Sequence, residues 1–153
     1  MKSILINNHG NVDVLEYAEV EEPICTSDKI KIKIEASAIN HLDIWVRNGL
    51  PGINIPLPLI LGSDGSGVIV DVGNNIKNYK KGDKVVIQPG TFNKTCAKVL
   101  EGNENYSKTY GILGETENGI QSEYVVLNPH NIFLMSEHLT FIEAASMQLV
   151  YMT

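Results

Sequence analysis

Lys29-Ile30-Lys31-Ile32-Lys33-Ile34-Glu35 alternates a charged side chain with an isoleucine without a break. A period of two puts the three isoleucines on one face of a strand, so this stretch decides for a β fold with that face buried. Outward from it, residues 1–7 and 12–20 flank Asn8-His9-Gly10-Asn11 as an opening hairpin, and residues 67–73, 84–87 and 123–127 are β-branched runs bounded by turn residues. Two stretches read as helical. Residues 40–48 carry Leu42, Trp45 and Val46 at helical spacing with Gly49 as a stop, and Thr140 followed by Glu143 is a capping pattern ahead of Ala144-Ala145-Ser146-Met147. That last helix runs apolar to Thr153 with no stop signal, which predicts a chain that continues past this point.

Between Gln88 and Gly119 lies a polar stretch too long for a hairpin loop. Its own apolar residues, Val99, Leu100, Tyr106, Tyr110, Ile112 and Leu113, predict a folded lobe at about 89–119, inside one domain spanning 1–153. The 153 residues are 43% apolar and 20% charged, normal for a globular core. Eighteen acids against twelve bases give a net charge of −6, and Arg47 is the sole arginine, which excludes a nucleic-acid binder resting on phosphate contacts. No apolar run approaches the roughly 20 residues that span a bilayer, and the N-terminus turns polar too soon for a signal peptide. The expectation is a cytoplasmic protein with no membrane partner. Two cysteines, Cys25 and Cys96, are too few for a disulfide framework or a zinc site of their own.

The order of three motifs carries a resemblance: Ala36-Ser37-Ala38-Ile39-Asn40-His41-Leu42-Asp43, then Pro58-Leu59-Ile60-Leu61-Gly62-Ser63-Asp64-Gly65-Ser66-Gly67, then Tyr79-Lys80-Lys81-Gly82-Asp83-Lys84-Val85. With Gly119-Ile120-Gln121-Ser122-Glu123-Tyr124-Val125 and the C-terminal segment, they resemble the N-terminal catalytic domain of the medium-chain dehydrogenase/reductase superfamily, which includes zinc-type alcohol dehydrogenases and zinc-free quinone oxidoreductases. The resemblance implies a mostly β, GroES-like barrel with a few short helices. It also implies a Rossmann-type domain for NAD(P)H that this chain lacks: Gly62-Ser63-Asp64-Gly65-Ser66-Gly67 has the wrong spacing for a dinucleotide fingerprint and precedes a strand, so it reads as a glycine turn.

In the zinc-type members the catalytic ligands match Asn40, Ser63 and a position near Leu149, none of them a ligand here. Of the four structural-zinc cysteines, matching Asn93, Cys96, Val99 and Ser107, only Cys96 remains. The resemblance therefore implies no metal at either site, a lobe held by local apolar contacts or partly mobile, and an ordinary thiol at Cys96. Asn40-His41-Leu42-Asp43 and Gly62-Ser63-Asp64 look like the quinone-oxidoreductase version. On that match the catalytic candidates are Asn40, Asp43 and Asp64; Asn40, His41 and Thr153 meet the cofactor; and Trp45 and Ser63 line the substrate cleft. Leu42 stands where alcohol dehydrogenases keep a relay hydroxyl, which argues against alcohol chemistry. Structural roles compete at each position: Asn40 as a helix cap, Asp43 as a hydrogen-bond acceptor, His41 on a helix surface, Trp45 in the core, Asp64 as anchor of the glycine turn.

The expectation is the catalytic domain of an NAD(P)H-dependent, zinc-free oxidoreductase, homo-oligomeric when full length, reducing a small-molecule quinone, enone or related carbonyl. The alternatives are a degenerate zinc-type alcohol dehydrogenase and a stand-alone binding module.

Overall fold

A computed structural model describes residues 1–152, so Thr153 lies outside the described residues. In chain order its elements are β1 (Lys2–Ile6), β2 (Leu15–Glu19), β3 (Ile30–Ala38), α1 (His41–Asn48), β4 (Leu59–Ile60), β5 (Asp64–Val72), β6 (Lys84–Ile87), β7 (Gly90–Thr91), α2 (Ala97–Leu100), β8 (Gly111–Ile112), β9 (Tyr124–Leu127), β10 (Ile132–Leu134), α3 (Phe141–Ala145) and α4 (Gln148–Met152). The larger sheet runs β10-β6-β5-β3-β9 and a smaller one β2-β1-β4, with every pair antiparallel. The Ile4 amide donates to the Gln121 carbonyl and Ser3 bridges Ser122, joining the two sheets.

The alternating stretch became β3. Ile30 and Ile32 are fully buried and Ile34 packs beside them, against Ile69, Val85, Ile87, Ile120 and Ile132. The opposite face carries Lys31, paired with Glu22, and Lys33, paired with Glu35. A β-branched stripe on one face and charge on the other is what half-buried sheet residues require.

β5 starts three residues earlier than the sequence reading placed it. Asp64–Gly67 is already strand, paired to β3 on one side and β6 on the other, so the expected glycine turn shrinks to Gly62 alone, at φ +95°. Gly67 serves close approach instead: a Cβ there would collide with the Lys33 carbonyl oxygen on β3.

The last helix also differs from expectation. It breaks at Ser146, whose hydroxyl donates to the Glu143 carbonyl and caps α3, and the chain restarts as α4. The capping box on Thr140 and Glu143 is present as expected.

The lobe is folded, but not by its apolar residues: Leu100 and Tyr106 are 76% and 74% exposed, while Leu113 belongs to the main core. Hydrogen bonds organise it. Asn93 Oδ1 accepts from the Thr95 amide and hydroxyl, Thr109 Oγ1 accepts the Asn93 amide, and the Ser107 hydroxyl donates to Cys96 Sγ at 3.1 Å. That hydroxyl, with the Lys98 backbone amide behind it, holds the Cys96 thiol below the usual range, so the expectation of an ordinary thiol is corrected. At the lobe's root, buried Asn131 donates through Nδ2 to the carbonyls of Gln88 and Gly90, and His130 stacks on Phe92 at 4.4 Å.

Candidate functional site

Three segments converge where β3 leaves the sheet, where β5 enters it, and where α4 begins. Asn40 sits at the N-cap of α1 in an extended conformation, and Gly49 at φ +91° ends the helix as its sequence predicts. Asp43 reaches back so that its Oδ2 accepts the Asn40 backbone N–H at 2.7 Å, the closing half of a capping box. Burial pushes the Asp43 carboxyl above its usual range, opposed by the amides of Asn40 and Gly62. It is 5% exposed, and among the described residues its Oδ1 has no hydrogen-bond partner.

Asp64, the first residue of β5, is fully buried with both oxygens engaged. Asn40 Nδ2 donates to Oδ2 at 3.0 Å, and the Leu149 backbone amide donates to Oδ1 at 2.8 Å. Burial raises its pKa against those two bonds. Ser63, also buried, turns its hydroxyl to the Leu113 carbonyl at 2.8 Å and so links the site to the lobe. The loop that carries Leu113 lies against this corner because Gly114 and Gly119 present bare backbone to Gly62; a Cβ on either would collide with it.

His41 and Trp45 share the outer side of α1, ring centroids 5.4 Å apart, with Trp45 52% exposed. The core placement weighed for Trp45 is therefore wrong; it faces outward. Asn40, Asp43, Ser63 and Asp64 come together as expected, and His41 and Trp45 lie on the exposed side of the same helix. A cleft of about 570 Å³ lined by Ile4, Tyr17, Ile39, Asp43 and Arg47 touches this group only through Asp43, so the expectation that Trp45 and Ser63 line the cleft is not met there: Ser63 is fully buried and Trp45 faces outward. The sequence reading missed the Leu149 amide: a backbone donor leaves no side-chain signal.

Zinc needs thiolate, imidazole or carboxylate lone pairs converging on one point. The matched positions offer an amide, a hydroxyl already bonded to a carbonyl, and a leucine, and the neighbouring carboxylate has both oxygens filled by N–H donors. These residues do not fit a zinc ion. Asn40 and His41 stand at the start of an eight-residue helix whose first turn is capped by the Asp43 carboxylate.

Residues 26–137 match the family model described as alcohol dehydrogenase GroES-like domain. Among curated proteins the chain is 34% identical over 155 residues to a 2-methylene-furan-3-one reductase of Solanum lycopersicum, covering 100% of this chain and 35% of the relative. It is 30% identical over 148 residues to a zinc-type alcohol dehydrogenase-like protein of Schizosaccharomyces pombe, covering 96% of this chain and 41% of that one. A solved NAD-dependent alcohol dehydrogenase superposes with a TM-score of 0.92 at 39% identity, covering 97% of this chain and 43% of the other. The chain thus spans about two fifths of the length of the relatives it matches. With the family model covering most of the sequence and the fold shared along nearly all of it, the chain belongs to the alcohol dehydrogenase GroES-like domain family of the medium-chain dehydrogenase/reductase superfamily.

Proposed function

We propose that this chain is the catalytic domain of an NAD(P)H-dependent oxidoreductase that works without catalytic or structural zinc and reduces quinones, enones or related carbonyls. The observation that carries the reading is the state of Asp64: at the point where zinc-type members gather metal ligands, this chain has a carboxylate saturated by N–H donors. The likeness to an enone reductase of tomato supports the substrate class.

The nicotinamide, when bound, supplies the hydride. Asn40 is placed to hydrogen-bond cofactor or substrate, with its amide oriented by Asp64 and its backbone held by Asp43. His41 meets the diphosphate, and Trp45, exposed beside it on α1, meets the acceptor. Asp43 and Asp64 act through Asn40: buried and bonded, they orient it rather than exchange protons with substrate. Thr153 keeps its expected place against the nicotinamide as part of the proposal.

The test is an assay of the full-length protein with NADPH and an enone or quinone, before and after exhaustive chelation, alongside metal analysis. Turnover that survives chelation, with zinc far below stoichiometric, is expected. Stoichiometric zinc together with chelator-sensitive alcohol oxidation would sink the reading.

A further inference from the structure

We infer that Asp64 is a positioning residue whose carboxylate is the knot joining α1, β5 and α4. The inference rests on the zinc-free reading above. Asp64 binds Asn40 across 24 residues of sequence and Leu149 across 85, from a fully buried position. Asn40 stands where the resemblance places the first zinc ligand, Leu149 is near the third, and Ser63, at the second, is the residue before Asp64.

The electrostatics are inverted. In a zinc centre the ligand positions direct lone pairs at a central cation; here two of those positions direct N–H groups at a central anion. Hydrogen bonds to an ionised acceptor are stronger than neutral ones, and both contacts, at 2.8 and 3.0 Å, lie within hydrogen-bond distance. The consequence for the site is orientational. A carboxylate acceptor forces the Asn40 side chain to present its NH₂ inward, so the amide cannot rotate freely. The Leu149 bond supplies an N–H partner at the start of α4, a helix of five residues that cannot stabilise itself. One buried anion thereby fixes both the residue proposed to meet the reacting atoms and the segment that leads to Thr153.

The test uses this chain without cofactor, followed by NMR, so that it holds or fails independently of the reductase assay. In the unsubstituted protein the Leu149 amide is expected to be protected from hydrogen exchange, and its proton shift to titrate together with the Asp64 carboxyl carbon. Asp64→Ala is expected to lower that protection at least about tenfold, the effect of losing one charged hydrogen bond. Asp64→Asn is expected to rescue the protection, because a carboxamide oxygen still accepts, while abolishing the titration. General loosening of the fold would not give that combination. An unprotected Leu149 amide in the unsubstituted protein, or one whose shift ignores Asp64, overturns the inference even if the alanine variant fails to fold.

Discussion

Asp43 and Asp64 carry an energetic cost that no apolar residue of the core carries, because each holds a carboxylate out of water. Burial raises both folded-state pKa values above the ordinary 3.8, so their contribution to stability is fully present below about pH 3.8 and is lost as pH rises through the raised values. Asp64→Asn removes one titrating group. Its stability relative to the unsubstituted protein, read from urea melts across the acid range, should therefore improve as pH rises from 3.8 toward neutrality. A parallel pair of curves would refute the raised Asp64 value. Gly67 is a residue of the opposite kind, uncharged and needed only for its lack of a side chain. Gly67→Ala puts a methyl group against the Lys33 carbonyl in the central β3–β5 pair, and a destabilisation of about 1–3 kcal/mol is expected in the same melts.

The lobe between β6 and β9 is held by specific polar and ring contacts at its root. Its hold on the body runs through Asn131, His130 and Leu113, whose side chain is buried in the main core. Both ring nitrogens of His130 are buried without partners among the described residues, and burial, with Lys94 and Lys29 nearby and Glu117 opposing them, lowers its pKa to about 4. A depressed histidine favours the neutral folded form, so this contribution is lost as pH falls from the ordinary 6.5 through about 4. The sign is opposite to that of the two aspartates over part of the same window. His130→Phe keeps a ring on Phe92 and cannot protonate; amide exchange within the lobe should accelerate less on acidification in this variant than in the unsubstituted chain. Equal acceleration would assign the acid sensitivity elsewhere. At this scale the sequence was readable wherever a side-chain pattern repeats or caps: the isoleucine alternation gave β3, and Asn40 with Gly49 bounded α1 to the residue. It was unreadable where backbone groups decide. Two-residue strands such as β4 and β7 have no period to detect, and the break at Ser146 depends on a hydroxyl-to-carbonyl bond inside an otherwise helical pattern.

Across the whole molecule, the gathering of Asn40, Ser63 and Asp64 followed from motif order, whereas the Asp64–Leu149 bond belongs to long-range topology that no local spacing encodes. The same topology leaves large apolar side chains uncovered on its C-terminal elements. Phe133 and Leu134 on β10, Ile142 on α3 and Tyr151 on α4 are all exposed, while the other faces of these elements pack against the sheet or bond to it. Scattered exposed apolar residues are ordinary, and Phe133 and Leu134, consecutive on one strand, point to opposite faces, but together the four leave apolar area that water penalises. At about 25 cal/mol for each Å² of apolar surface removed from water, covering even a few hundred Å² is worth several kcal/mol, enough to drive association at high protein concentration. This chain alone is therefore expected to self-associate, with a sedimentation coefficient that rises with concentration. The variant Ile142→Lys/Tyr151→Lys places charge in that surface and leaves the core, the Asp64 bonds and the Thr140–Glu143 capping box untouched. It should sediment as a monomer over the same range with an unchanged melting curve. Sedimentation that is identical for the two proteins would assign any association to another face, and the uncovered ends of β10, α3 and α4 would then be tolerated by water as they stand.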